Sequence, residues 1–181
     1  LNLAQGEAVA YYTKTISSLL ALVDRIATLS TDSDIARQAG AYSSPLKAKE
    51  HAGIERALLT GAFAADRFAP GAFARFIGNS ATHDTWLAQF NAYAQPEQSA
   101  LLEARMRDDV VAETARMKQI AIERANEPGL GVAADTWFKA ITGKIDRLKE
   151  VEDRLSGDLE ASAAAREQSA RGVMLIDIAM A

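Results

Sequence analysis

The sequence predicts an all-α chain folded as an up-down antiparallel helical bundle with long, rod-like helices. Three observations carry that prediction. Alanine is abundant while the 181 residues hold only 11 glycines and 4 prolines, a composition that favours helix and close helix packing. Apolar residues recur at spacings of three and four along most of the chain, the period of one helix face. Clusters of turn formers occur at only a few places, and no stretch alternates as a strand would. The length suits a single domain over residues 1–181 with a sizeable core.

The first segment runs from about Leu3 to Leu29, with Val9, Tyr12, Ile16, Leu19, Val23 and Ile26 as its apolar stripe. Ser30-Thr31-Asp32-Ser33 ends it and offers N-caps for the next helix. The second segment, about Ser33 to Phe68, contains Ser43-Ser44-Pro45. Proline lacks the N–H that continues a helix, so the spacing predicts one long helix kinked there, with a restart capped by Ser44 as the alternative. Ala69-Pro70-Gly71 closes it. The third, about Ala72 to Ala94, carries Phe73, Phe76, Ile77, Trp86, Leu87, Phe90 and Tyr93 and is expected to fill the thickest part of the core; Asn79-Ser80 is a candidate break.

Pro96 opens a fourth segment expected to reach Asn126 as one helix, with Leu102, Met106, Val110, Met117 and Ile120 inward and Thr114 the polar member of that face. Glu127-Pro128-Gly129-Leu130-Gly131 reads as the clearest loop. The fifth segment, from about Asp135 onward, spaces Phe138, Ile141, Ile145, Leu148, Val151, Leu155 and Leu159 as a near-heptad. A continuous rod of that length would span on the order of 60–70 Å.

Several classes of chemistry find no support. The formal net charge is −4 with both signs interspersed, and no basic block or aromatic platform suggests nucleic acid. Without cysteine there are no disulfides or thiolate metal sites. Gly129-Leu130-Gly131-Val132-Ala133-Ala134 matches GxGxxA, but that dinucleotide fingerprint needs a preceding strand and here follows a helix. His51 and Glu55, four residues apart, have metal-ligand spacing, yet only His83 remains as a further histidine, so the pair reads as two residues on a solvated face. No nucleophile elbow or Ser/His/Asp arrangement occurs, and Asp108-Asp109 and Glu150/Glu152-Asp153 sit among basic residues as solvated charge patterns. Neither an enzyme nor a cofactor is expected.

One stretch resists this accounting. In Lys47–Phe68, the helix face of Arg56 also holds Lys49, Ala52, Gly53, Leu59, Thr60, Phe63 and Arg67. An arginine at the border of a packing face calls for an anion, because an unpaired charge there is costly. One answer is a carboxylate of this chain on the first or fifth segment. The other is a small-anion site: the guanidinium fork meets two oxygens of a planar oxyanion, Gly53 leaves room, and Thr60 and Lys49 add polar groups.

The residues KAKEHAGIERALLTGAF (Lys47–Phe63) resemble a signature of the nitrate- and nitrite-sensing domain family. Ala8–Ile16 resembles that family's AYYTKxI stretch, and Asp135–Lys149 its WF..IT.KID.LK stretch, as in receptor-type members. The resemblance implies an all-helical sensory module in which arginines hold nitrate or nitrite, one of them at the position of Arg56. A second family arginine lies on an LQxERG-like first helix that has no counterpart here, and Ser43-Ser44-Pro45 departs from the leucine-rich sequence expected before the Lys-Glu pair. The family reading implies a fragment of a bacterial chemoreceptor or sensor kinase, periplasmic as most members are and tied to the inner membrane, with a membrane segment expected beyond it; the apolar tail GVMLIDIAMA reads as a final helical turn packed on the bundle or as the approach to that segment. A homodimer is expected, since near-heptad rods with an alanine-rich seam suit helix pairing.

Overall fold

A computed structural model describes the backbone of residues 5–127 and 129–180, and the side chains of residues 11–127 and 129–171. Its helices are α1 (Gln5–Leu29), α2 (Ser33–Ala64), α3 (Ala72–Tyr93), α4 (Pro96–Met106), α5 (Asp109–Glu123) and α6 (Ala134–Met180). No strand occurs among the described residues. The rods alternate in direction, with α4 and α5 acting as one broken rod. Pairings set the directions: Asp24 of α1 meets Lys47 of α2, His83 of α3 meets Ala48, and Arg166 of α6 meets Asp32 and Asp34 at the start of α2. Helix α2 packs against α1, α3 and α6, while α6 also receives α4 and α5. The all-helical, up-down antiparallel bundle is the fold that the apolar periodicity predicts.

Helix α2 starts where Asp32, as N-cap, accepts hydrogen bonds from the backbone N–H groups of Asp34 and Ile35. It continues through Pro45, which is buried between Ser44 and Leu46, so a single helix forms and Ser44 does not cap a new one. Ser44 instead donates to the carbonyl of Gly40, one turn back. Likewise α3 runs unbroken through Asn79-Ser80. Both side chains there are occupied by tertiary partners: the Asn79 amide donates to the His51 carbonyl, and the Ser80 hydroxyl accepts from Lys118.

The fourth segment differs from its expectation. It breaks at Arg107-Asp108, where the Asp108 carboxylate accepts from the Val110 N–H and begins α5. The same carboxylate accepts from Arg147 of α6 at 2.8 Å, and that bond, with the Val110 N–H, holds it below the usual carboxylate range. Asp108 is therefore a cap and an interhelical tie, and Glu152, which pairs with Lys49 of α2, is likewise more than a solvated charge.

Two clusters form the core. One gathers Leu59 and Phe63 of α2, Phe76 of α3, Met117 of α5, and Trp137 and Ile141 of α6. The other joins Ala41 and Ala52, Phe90, Leu102, Leu148, Val151 and Leu155. The third segment supplies Phe76 and Phe90, but Ile77 and Tyr93 are exposed, and the largest fully buried side chain is Trp137 of α6. Most of the near-heptad of α6 is spent inside the chain, on α2, α4 and α5, which removes it as a free seam. Phe138 is the exception and is exposed. Helix α6 has 47 residues, about 70 Å of rod, and from Arg166 onward it runs past the start of α2. No helix among the described residues is long and apolar enough to cross a membrane; the side chains of the GVMLIDIAMA tail lie outside the described residues.

Helix α1 corrects a second expectation. Ile16, Leu20, Val23 and Ala27 are half-buried against α2, but Tyr12, Leu19 and Ile26 of the predicted stripe are exposed. Val9 lies outside the described side chains. Its apolar arc is wider than α2 can cover.

Candidate functional site

The residues expected to form a site share a groove whose floor is α2 and whose walls are α1 and α6. One cleft, about 410 Å³, is lined by Tyr12 and Ile16 of α1, by Glu50, Gly53, Arg56 and Thr60 of α2, and by Phe138 of α6. A neighbouring cleft of about 430 Å³ shares Glu50, Gly53 and Arg56 and adds Leu19, Val23, Lys49 and Ile145. Arg56 is common to both. All four residues singled out from the sequence therefore border one groove.

Arg56 is held without being neutralised. Its Nη1 donates to the Thr142 hydroxyl at 3.0 Å, and its guanidinium lies 4.9 Å from the centroid of the Phe138 ring. No carboxylate stands within 4.0 Å of it among the described residues, so the internal salt bridge entertained for Arg56 does not form there. Thr142 and Phe138 aim the planar fork and leave further N–H donors unused. Neither was singled out from the sequence, although both stand in the WF..IT stretch.

The other three residues fill different roles. Gly53 has nothing within 4 Å of where a Cβ would stand, so its side of the groove is open. The Thr60 hydroxyl donates to the Arg56 carbonyl at 2.6 Å and serves an anion only after giving up that bond. Lys49 is paired with Glu152 of α6, which draws its charge away from Arg56. Glu50, which the sequence reading passed over, lines both clefts and a third beside Trp86; it has no cation within 4.0 Å among the described residues. Its charge opposes an anion in the groove.

Behind α2 the polar chemistry is of another kind. Glu55, one residue before Arg56, is fully buried and faces α3, α5 and α6. The expected solvated pair of His51 and Glu55 does not exist. His51 exchanges two contacts with Asn79, at 2.7 and 2.8 Å, while Glu55 lies 3.2 Å from Lys118. Lys118 in turn donates to Ser80. Beside them the His83 ring and Lys144 are buried, with Nδ1 of His83 2.8 Å from the Ala48 carbonyl and Nε2 3.2 Å from the Lys144 amine. A carbonyl only accepts, so Nδ1 carries the proton and Nε2 receives the lysine's N–H. Burial, with Lys144 and Lys118 nearby, pushes the His83 pKa down to about 3. Burial likewise lowers that of Lys144, with Glu55 opposing the shift. One carboxylate thus faces two lysines and a neutral histidine, and Glu55 Oε1 receives no well-directed hydrogen bond.

The GxGxxA stretch is an interhelical turn. Gly129 and Gly131 take positive φ (89° and 68°), the Gly129 N–H donates to the Asp66 carbonyl, and the Gly131 N–H donates to the Asp66 carboxylate. Helix α5 precedes it rather than a strand. Among the described residues no group of three or more potential metal ligands gathers.

A helical bundle with an arginine aimed into an open groove, beside Glu50 and Lys49 of the same helix, has the make-up of a sensory module for a small anion. Residues 1–160 match the family described as nitrate and nitrite sensing, and the chain belongs to that family. A relative in Klebsiella oxytoca, a nitrate regulatory protein, is 29% identical over 164 residues, which cover 91% of this chain and 41% of that protein. The chain thus spans about two-fifths of its relative's length. No solved structure matches it.

Proposed function

We propose that this domain senses nitrate or nitrite in the α1/α2/α6 groove, with Arg56 as the anchor for the oxyanion. The observation that carries the reading is the state of Arg56: oriented by Thr142 and Phe138, open to both clefts, and without a carboxylate partner among the described residues. A planar anion accepts two parallel N–H bonds from such a fork, and Gly53 supplies space beside it. Lys49 and Thr60 stand at the edges of the site, available after exchange of their present partners.

Family membership supports the sensory role. The domain is the extracytoplasmic, periplasmic part of an inner-membrane receptor, of the methyl-accepting chemotaxis type, and works as a homodimer. A preceding helix contributes a second arginine, and a membrane segment follows α6. An anion bridging the two arginines screens their repulsion and favours one placement of α1 and α6 on α2. The long α6 rod then carries the displacement toward the membrane.

Titration calorimetry with sodium nitrate and sodium nitrite, on a chain extended by its preceding helix, tests the assignment. Saturable binding lost in Arg56→Ala is the expected result. No heat from either anion, or heat unchanged by Arg56→Ala, overturns it. A stronger response to a small carboxylate would reassign the ligand, and silence toward all anions would make the domain a helical spacer.

A further inference from the structure

Glu50 stands where a site built only for affinity has no use for it. It is half-buried, it lines both clefts that Arg56 borders and the third beside Trp86, and no cation lies within 4.0 Å of it among the described residues. The walls on either side bring no charge, with Tyr12, Ile16 and Leu19 from α1 and Phe138 and Ile145 from α6. All charge lining the two clefts therefore comes from α2, as Lys49, Glu50 and Arg56. Lys49 is spent on Glu152, which leaves Arg56 and Glu50 as the two uncompensated charges. They are six residues apart on one helix. Helix geometry sets their Cα atoms about 10 Å apart, near the ~8 Å Debye length at physiological salt, so an anion on Arg56 feels Glu50.

We infer that Glu50 sets the valence of the ligand, admitting singly charged anions to the groove and rejecting doubly charged ones. The inference deepens the Arg56 reading and rests on it. Arg56 and the second arginine proposed above bring two positive charges, and Glu50 offsets one. A monoanion then closes the balance. A dianion leaves one charge over in a half-enclosed groove, where an unpaired charge is costly.

The arginine fork does not discriminate in this way. Two parallel N–H bonds suit the oxygens of sulfate as well as those of nitrate, and the attraction grows with the ligand's charge. Repulsion from Glu50 grows with that charge too, so the factor it costs a monoanion is squared for a dianion. A carboxylate on the wall of an oxyanion seat thus gives up some affinity for every anion and gains discrimination between them.

Competition calorimetry at constant ionic strength, on the chain extended by its preceding helix, compares nitrate with sulfate and perchlorate. Perchlorate has the tetrahedral shape of sulfate and the charge of nitrate, so it separates valence from shape. Taking each anion's ratio between Glu50→Gln and the parent cancels that anion's own hydration. With nitrate gaining roughly threefold in Glu50→Gln, perchlorate should gain the same and sulfate roughly ninefold. Glu50→Asp keeps the charge and should keep the parent's discrimination, and circular dichroism should show both variants as helical as the parent. Sulfate that gains no more than nitrate, or that competes in neither protein, overturns the inference and leaves the nitrate site standing. Perchlorate that follows sulfate would make shape the discriminator and overturns it as well. Lost nitrate affinity in Glu50→Gln would make Glu50 a partner that aims an arginine, which equally overturns it. A parent that binds no anion fails the Arg56 reading, and this inference with it.

Discussion

Glu55 and Arg56 are neighbours on α2 and live in opposite environments. Glu55 points into the bundle, where Lys118 and Lys144 supply more positive charge than it can balance. Arg56 points into an open groove, where no carboxylate of the described residues balances it. The buried cluster ties four helices together, since Glu55, His83, Lys118 and Lys144 come from α2, α3, α5 and α6 in turn. The groove ties nothing so firmly. A charge placed for structure is enclosed by partners of the same chain, whereas one left for a ligand is aimed by neutral groups and kept open.

The sharpest way to break that comparison is to truncate the two neighbours separately. Glu55→Ala leaves the buried Lys144 and the partly buried Lys118 without their carboxylate and should cost about 3–5 kcal/mol in urea unfolding. Arg56→Ala should cost about 1 kcal/mol or less, because it removes one hydrogen bond and one partly exposed ring contact. Equal losses would mean that Arg56 is structural after all.

Acid separates the two regions next. The unfolded His83 takes a proton near pH 6.5, but the folded ring resists protonation down to about 3. Its contribution is therefore complete above pH 6.5 and is lost as pH falls toward 3, by up to about 1.4 kcal/mol per pH unit. Between pH 6.5 and about 5, above the range of most carboxylates, stability should fall by roughly 2 kcal/mol. His83→Gln should flatten that slope in pH-resolved denaturation curves.

A smaller effect tests how closely the helices behind α2 approach. A Cβ on Gly143 would stand 2.6 Å from Cγ2 of Val110, a stiff β-branched side chain. Gly143→Ala should lower the thermal midpoint, at a cost of about 1–2 kcal/mol after the helix-propensity gain. Gly53→Ala, in the open groove, should instead raise it slightly. Last and smallest, Glu50→Gln removes the negative charge that lines both Arg56 clefts, and nitrate affinity should rise roughly threefold by calorimetry.

Helix periodicity alone determined most of the fold. The starts of α2, α3, α4 and α6, the Gly129–Gly131 turn and the antiparallel order follow from apolar spacing, caps and a few Pro-Gly signals. The same periodicity held a signal for the buried cluster. Glu55 falls in the run Ala48, Ala52, Leu59, Ala62; His83 lies midway between Phe76 and Phe90; Lys144 lies between Ile141 and Leu148. A polar residue centred on an apolar stripe is a buried one, and reading His51 and Glu55 as a pair obscured that.

Other features depended on distances between segments remote in the sequence. The break at Asp108 needed Arg147 of α6 to stabilise a cap that local propensity leaves weak. Thr142 and Phe138 became neighbours of Arg56 only because α6 runs antiparallel to α2 in one register, about 85 residues away along the chain. The sequence by itself determined that Arg56 stands at the edge of a packing face in want of an anion. Tertiary structure decided that Lys118 and Lys144 answer Glu55 instead, leaving Arg56 to the groove, because one turn of α2 presents successive residues about 100° apart.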